Sequence, residues 1–500
     1  MSIAFEQIPE DIRVPLFYAE VDNTRAGGFA QNLRSLIFGY VLPAKNSQAG
    51  VLQPISTLDQ ASGLFGYGSM LARQVAAFRA NNPFGELWVY PMEEPAAGAK
   101  ATGTITFSGT ATEAGHVHLY LSGKYVPVPI PAGTTAVDAA TLTKRYIQRQ
   151  RNNNDVFRRF PVDATNIVAS NPTAVLTFSA KNKGTHGNSI DLRLNYNVEI
   201  GERMPAGLTA TVVAMSGGTG VADITTALAG VGDEPFEYFI TPFNTQTQLA
   251  AMQAFMDERW GPMKQLFGSV WTAYKGADMA ALQTYGETLN YKQISVAAYR
   301  SAPAWEVEVG AAYGGVASRH LSIDPARQIS SLELNGIIAP PPSQRFTTAE
   351  MNSLLFAGLT PLTVGGGETR IARSITTYQV NGYDAEDDSF LETTRNSSLA
   401  RVIREVKNMI LRKYARVKVL PDNAVVGAGA AIVTPKRLRA DLVVQYEAMS
   451  RRGLVRNPDA FENALRVEIN AQDRTRMDIL YPPILVNPLN VVAARVQFRF

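Results

Sequence analysis

Few side chains in this sequence are able to do chemistry, and their spacing decides what each could do. His116 and His118 stand two apart in Gly-His-Val-His-Leu-Tyr-Leu. Residues i and i+2 of a strand share a face, a usable geometry for two metal ligands. Zinc takes three or four protein ligands, and no further His or carboxylate recurs at a supporting spacing, so the pair reads as half-exposed strand residues. Ser69, His320 and Asp324 are the residue types of a hydrolase triad. No Gly-x-Ser-x-Gly elbow surrounds any serine, however, and Ser322 beside His320 reads as a loop residue. Gly66-Tyr67-Gly68-Ser69, Gly365-Gly366-Gly367 and Gly427-Ala428-Gly429 complete neither a P-loop nor a dinucleotide fingerprint, and each reads as a turn. Asp384, Glu386, Asp387 and Asp388 could hold a cation but read most simply as a solvated acidic turn. Zero cysteines remove thiol catalysis, disulfides and thiolate metal sites. The sequence therefore points to no catalytic, cofactor-binding or metal-binding residue.

Electrostatic binding is the chemistry the sequence does favour. Net charge is only +3, but residues 401–500 contain 18 Lys and Arg against 9 Asp and Glu. The last fifth of the chain is thus strongly basic and the remainder acidic. A helix is expected over 398–417. At about 100° per residue, Leu399, Val402, Ile403, Val406, Ile410 and Tyr414 fall on one face of it. Arg401, Arg404, Asn408 and Arg412 fall on the opposite face, flanked by Lys407 and Arg416, and only Glu405 offsets them. Solvated faces normally mix both signs, so this stripe reads as a surface for an acidic partner. Nucleic acid is a weaker reading, because aromatic residues are not interleaved and the whole chain is far from strongly basic.

The elements that would position these residues follow from periodicity. With 46% hydrophobic and 18% charged residues over 500 positions, the composition is that of a soluble globular chain of about three domains. Buried-strand runs at 36–41, 86–90, 236–240, 268–274 and 293–299 alternate with helical patterns at 69–80, 246–260 and 278–285. Strands separated by helices of that length imply βαβ crossovers and a largely parallel sheet. Between them, residues 97–215 turn to Ala, Gly and Thr, with short alternating strands and one helix near 139–150. The expected fold is α/β and α+β multidomain. A discontinuous α/β core domain (26–96 and 216–388) carries an inserted β-rich domain (97–215), followed by a C-terminal α+β domain (389–488) with a second helix at 435–451. Extended strand-forming terminal arms cover 1–25 and 489–500. Turn-rich junctions suggest that 97–215 projects from the host domain and that its replacement by a short Gly/Ser bridge would spare polymerisation. In the first arm Ile12, Val14, Leu16 and Tyr18 line one side, while Pro9 and Pro15 exclude a central-strand position. In the last, Ala494, Val496 and Phe498 alternate with Arg495, Gln497 and Arg499. Such strands are expected to pair outside their own subunit. No signal-peptide pattern opens the sequence and no run of about 18 apolar residues occurs, so membrane insertion is not expected.

Four separated segments then resemble one family. They are Phe5-Glu6-Gln7-Ile8-Pro9 running on to Arg13-Val14-Pro15 and Tyr18-Ala19-Glu20-Val21-Asp22-Asn23; Leu64-Phe65-Gly66-Tyr67-Gly68-Ser69-Met70-Leu71; Thr102-Gly103-Thr104-Ile105-Thr106-Phe107-Ser108-Gly109-Thr110; and Ser179-Ala180-Lys181-Asn182-Lys183-Gly184 with Gly187-Asn188-Ser189-Ile190-Asp191-Leu192. Together they resemble the Mu-like contractile tail sheath proteins of bacteriophages, and the resemblance extends to Leu480-Tyr481-Pro482-Pro483-Ile484 and the closing strand. It implies a virion structural protein, assembled in the host cytoplasm. Its subunits would stack in sixfold rings as a helical polymer around an inner tail tube. That polymer would contract without nucleotide hydrolysis, driving the tube through the host envelope for genome delivery. The implied partners are further copies of the chain, the tail tube protein, and baseplate and tail terminator proteins, with no direct nucleic-acid contact and no cofactor. The family's tube-facing surface would lie in the C-terminal domain, on either of two helices, 398–417 or 435–451; the charge stripe favours the first, with Arg401, Arg404, Lys407, Arg412 and Arg416. The alternative from another class is an α/β hydrolytic enzyme with a carbohydrate-binding β insertion, for which His320 and the acids at 384–388 would be the candidates.

Overall fold

The computed structural model describes residues 33–153, 160–170, 172–424 and 431–498. Ile12, Val14, Leu16 and Tyr18 of the first arm lie outside the described residues, as do Gly427, Ala428 and Gly429. In chain order the strands are β1 (Ser35–Tyr40), β2 (Gln53–Pro54) and β3 (Leu87–Met92), then β4 (Thr102–Gly109), β5 (Gly115–Leu121), β6 (Lys124–Ile130), β7 (Val162–Ser170), β8 (Thr173–Ala180), β9 (Leu192–Leu194) and β10 (Leu208–Ser216). There follow β11 (Tyr238–Ile240), β12 (Ser269–Lys275), β13 (Ile294–Tyr299), β14 (Glu333–Ile338), β15 (Thr360–Gly365) and β16 (Glu368–Ile371), and last β17 (Lys418–Val419), β18 (Ile432–Val433), β19 (Arg466–Ile469) and β20 (Met477–Leu480).

The logic of the main sheet is visible in β1. Ser-Leu-Ile-Phe-Gly-Tyr is buried at every position, and its side chains divide with period two. Leu36, Phe38 and Tyr40 enter one hydrophobic cluster, Ile37 another. A strand covered on both faces calls for helices on both sides and parallel neighbours. The nine-stranded sheet runs β14-β16-β15-β13-β12-β11-β1-β3-β2, parallel from β15 to β3 and antiparallel at its two edges. Helices Met70–Asn81 and Glu306–Ile323 supply the cluster on one face, and Ile224–Val231 and Gln246–Trp260 that on the other. Glu306–Ile323 lies deep between the sheet and Met70–Asn81. A Cβ on its Gly314 would overlap Ile240, and one on Gly315 would sit 2.9 Å from the Phe78 carbonyl oxygen.

The chain between β3 and β11 forms two smaller sheets, β10-β4-β8-β7 and β6-β5-β9, with helix Ala136–Asn153 packed against both. Ile105, Phe107, Val117 and Phe178 from these sheets belong to the same cluster as Leu36, Phe38 and Tyr40. Excision of 97–215 would remove these side chains from that shared core.

Helix Thr393–Tyr414 begins before residue 398, because Thr393, Thr394, Asn396, Ser397 and Ser398 are buried and tertiary contact overrides their modest propensity. It crosses the N-terminal ends of the parallel strands. Asn396 Nδ2 donates to the Lys292 carbonyl at 2.6 Å, ahead of β13. Arg404 donates to the Phe267 carbonyl at 3.1 Å, ahead of β12, and pairs with Glu237, ahead of β11. Eight helical residues advance about 12 Å and two strand spacings span about 10 Å, so the helix runs roughly across the strands. Val402 and Met409 join Leu438, Leu442, Tyr446 and Met449 of helix Pro435–Arg451 and Phe461 of Pro458–Ala464 in a third cluster, which the β19–β20 hairpin flanks. Strand β20 stops at Leu480, short of Pro482 and Pro483. Among the described residues no helix is long and apolar enough to cross a membrane.

Candidate functional site

In a doubly wound sheet, ligands enter beyond the C-terminal ends of the strands where the strand order reverses, here between β1 and β11. The chain fills that crevice itself. The loop after β8 places His186 against the rings of Tyr40 and Phe243, with centroids 5.9 and 5.4 Å away. Trp305 Nε1 donates to the His186 carbonyl at 2.8 Å. Burial pushes the imidazole down to about 4, so it is neutral near pH 7. A helix N-terminus could attract phosphate at this place, yet Asn182 Oδ1 already accepts from the Met70 N–H at 2.9 Å while its Nδ2 donates to Val41 at 2.7 Å. Sequence reasoning did not single out His186. Its only signal is its place inside the family-like segment at 179–192.

The residues with enzyme-like chemistry have structural positions. Ser69 caps helix Met70–Asn81, accepting from Ala72 N at 3.2 Å, and Asp324 caps the other end of Glu306–Ile323 and accepts from Ala326 N at 3.1 Å. Ser322 donates to the Arg319 carbonyl. His320 is partly buried, and burial with the nearby Arg319 and Arg327 lowers its pKa. His116 points to solvent on β5, while His118 stacks on Tyr125 and shares a 2.7 Å bond with its hydroxyl. Among the described residues no cluster of three or more His, Asp or Glu could hold a metal ion. Gly66 and Gly68 form the turn before Ser69 at φ +98° and +79°, and Gly366 and Gly367 the β15–β16 turn at +65° and +88°. Within the acidic turn, Asp387 accepts from the Tyr378 and Ser389 hydroxyls at 2.7 and 2.8 Å.

The five cations of the basic stripe divide. Arg404 is turned inward, paired with the buried Glu237 and lying over the Phe267 ring at 5.5 Å. Arg401 pairs with Glu405 at 2.8 Å, and Arg452 from the end of the neighbouring helix pairs with the same carboxylate. These two pairs and burial act together on Glu405: despite desolvation, the Arg452 and Arg401 guanidiniums hold its carboxyl below the ordinary value. Lys407, Arg412 and Arg416 are exposed and have no ion-pair partner among the described residues. The helical wheel placed all five together because it sees one helix. The first half of this helix is covered on two sides, by its own domain and by the strand ends, and the cations without an ion pair among the described residues lie in its second half and just beyond its end.

At the C-terminal segment, Arg456 N donates to Ile484 at 2.8 Å, and Asn490 donates to Glu392 at 2.9 Å. Beyond that anchor residues 491–498 are exposed and belong to no strand. Ala494 and Phe498 are exposed with them, and Val496 reaches 87% exposure. The β19–β20 ladder has only two strands, which leaves an outer edge on each without a ladder partner among the described residues.

A family model for the phage tail sheath protein central domain matches residues 217–377. The Mu-like prophage FluMu tail sheath protein of Haemophilus influenzae is 35% identical over 501 residues, covering 100% of both chains. Among solved structures, a sheath tail protein of Desulfitobacterium hafniense is 13% identical, with 95% of this chain and 100% of that one covered at a TM-score of 0.46. One of Listeria innocua is 12% identical, with 91% and 92% covered at a TM-score of 0.46.

Proposed function

Since this chain belongs to the phage tail sheath family, a family of tail structural proteins and not of enzymes, we propose that its copies stack as sixfold rings around an inner tail tube. The polymer contracts to drive the tube through the host envelope, and it is assembled in the host cytoplasm with baseplate and tail terminator proteins at its ends. Family membership sets aside the hydrolytic reading of His320 and residues 384–388.

One observation carries this reading: among the described residues the segment 491–498 is in no sheet, while Val491, Val492 and Val496 are exposed. A lone strand is unstable in water, and addition to a neighbour's sheet satisfies its backbone and covers its side chains together. Ala494, Val496 and Phe498 act as the lent strand, with Ile12, Val14, Leu16 and Tyr18 in the same role at the other arm, and the open edges of β19 and β20 as the acceptor. Exchanged strands keep subunits linked while rigid bodies rotate. The tube contact falls to Lys407, Arg412 and Arg416. Deleting residues 491–500 is expected to leave the circular dichroism spectrum and cooperative melting intact while long polymers disappear from negative-stain micrographs. Global unfolding of the deletion, or polymers of normal length, would reject the lent strand.

A further inference from the structure

A groove of about 480 Å³ opens beside the end of helix Thr348–Phe356. Leu355, Phe356 and Leu391 make its apolar part, and Glu386, Asp387 and Asp388 its acidic part. Phe356 is 77% exposed. Asp387 is engaged by the Tyr378 and Ser389 hydroxyls, but Asp388 reaches only Arg395, at 3.8 Å, and Glu386 has no ion pair among the described residues. An apolar floor in water with an acidic rim marks a protein contact and fits an occupant that carries an aliphatic side chain flanked by cations.

Several large apolar side chains exposed among the described residues lie beside cations. Leu411, Val496 and Phe498 have uses in the function proposed above, Leu480 lies on the hairpin that would accept the lent strand, and Ile323, between Arg319 and Arg327, ends its helix and makes no ridge. Val444 is 62% exposed. Lys436, Ala440, Val444 and Ala448 follow one another at i+4 spacing, all exposed, with Arg437 exposed beside Lys436. Residues four apart are neighbours on a helix surface, so the four make a low apolar ridge with cations at its start. The other side of this helix is packed against Thr393–Tyr414, Pro458–Ala464 and β19, which leaves the ridge to another molecule.

We propose that the groove seats this ridge from a second copy of the chain, with Val444 on the floor beside Phe356 and Lys436 and Arg437 against Glu386 and Asp388. Groove and ridge are different patches, so the contact is head-to-tail: every added copy brings a free groove and a free ridge, and the contact propagates. It requires that copies associate, as the function proposed above does, but not that they bind a tube.

The absence of cysteine from the chain makes the test direct. Full-length protein carrying both Asp388→Cys and Lys436→Cys, assembled without tube and oxidised, is expected to give a ladder of covalent multimers that neither single variant gives. In parallel, Glu386→Lys with Asp388→Lys is expected to lower polymer yield at low salt by about tenfold, roughly 1.4 kcal/mol per contact. Lys436→Glu with Arg437→Glu should do the same, and the chain with all four changes should recover, since each contact again joins opposite signs. The disulfide arm stands even where a charge variant folds poorly. No ladder overturns the proposal, as does failure of the fourfold variant to recover while both pairs remain folded. A ladder from protein that forms only short oligomers would keep this contact and remove the stacked-ring reading instead.

Discussion

Glu306 sets burial against charge at a single residue. It opens helix Glu306–Ile323 and is half-buried by area, yet its carboxylate accepts from Asn244 Nδ2 and the Lys275 N–H, each at 2.8 Å. Lost hydration outweighs those bonds and the Lys275 charge, and pushes it from 4.5 up to about 7. The folded state therefore holds this proton more tightly than the unfolded chain. Its stabilising contribution is complete below the unfolded value and is lost as pH rises through about 7, at most about 3 kcal/mol. Glu306→Gln keeps an acceptor oxygen and cannot ionise. Melting curves from about pH 5 to about pH 8 should fall less steeply for this variant than for the native chain; parallel curves would clear Glu306 of the effect. Nothing in the local sequence marks this residue, because its environment comes from Asn244 and Lys275, on other elements.

At the scale of elements, helix Glu306–Ile323 shows how composition and packing are tied. Its Gly residues read locally as poor helix material, but only small residues let it lie between the sheet and Met70–Asn81. Gly314→Ala is expected to lower stability by about 1–3 kcal/mol through the clash with Ile240. Gly63→Ala, in helix Leu58–Phe65 where an added Cβ meets nothing within 4 Å, should raise it by about 0.5–1 kcal/mol. Urea midpoints compare the two, and equal shifts would remove the packing account. Whereas β2, β14, β15 and β16 were not expected, five strands of the main sheet, β1, β3, β11, β12 and β13, were legible within two residues, the run expected at 293–299 being β13, Ile294–Tyr299. Their unbroken apolar runs encode cover on both faces, and flanking polar residues end them. The start of helix Thr393–Tyr414 was not legible, since its first residues are held by the strand ends they cap.

For the whole molecule, charge segregation matters most where it is left unpaired. Lys407→Glu with Arg412→Glu and Arg416→Glu should abolish co-sedimentation with tail tubes while the protein still polymerises alone. Each exposed pair is worth only about 0–1 kcal/mol, but repetition around the proposed ring would multiply it and keep it salt-sensitive. Normal coating of tubes at low salt would reject this surface. Arg401 and Arg404 are left out of the variant because they hold the molecule together. Removing Arg404 would strand the buried Glu237, at a cost of about 3–5 kcal/mol.

The sequence by itself determined the class of fold, the two-sided burial of the main strands, the basic character of the C-terminal region and the family. These rest on local periodicity, on composition and on separated motifs, all of which survive in one dimension. Tertiary structure decided which charges are free. Arg404 and Arg412 look alike on a helical wheel, yet Arg404 meets Glu237, 167 residues away, and Arg412 meets water. It also decided that the crevice at the reversal of strand order is closed, because His186 and Asn182 reach it from the sheets between β3 and β11. Residues 494–498 have the pattern of a strand and form none among the described residues, because a ladder needs a second edge and that edge lies outside the segment that encodes the pattern.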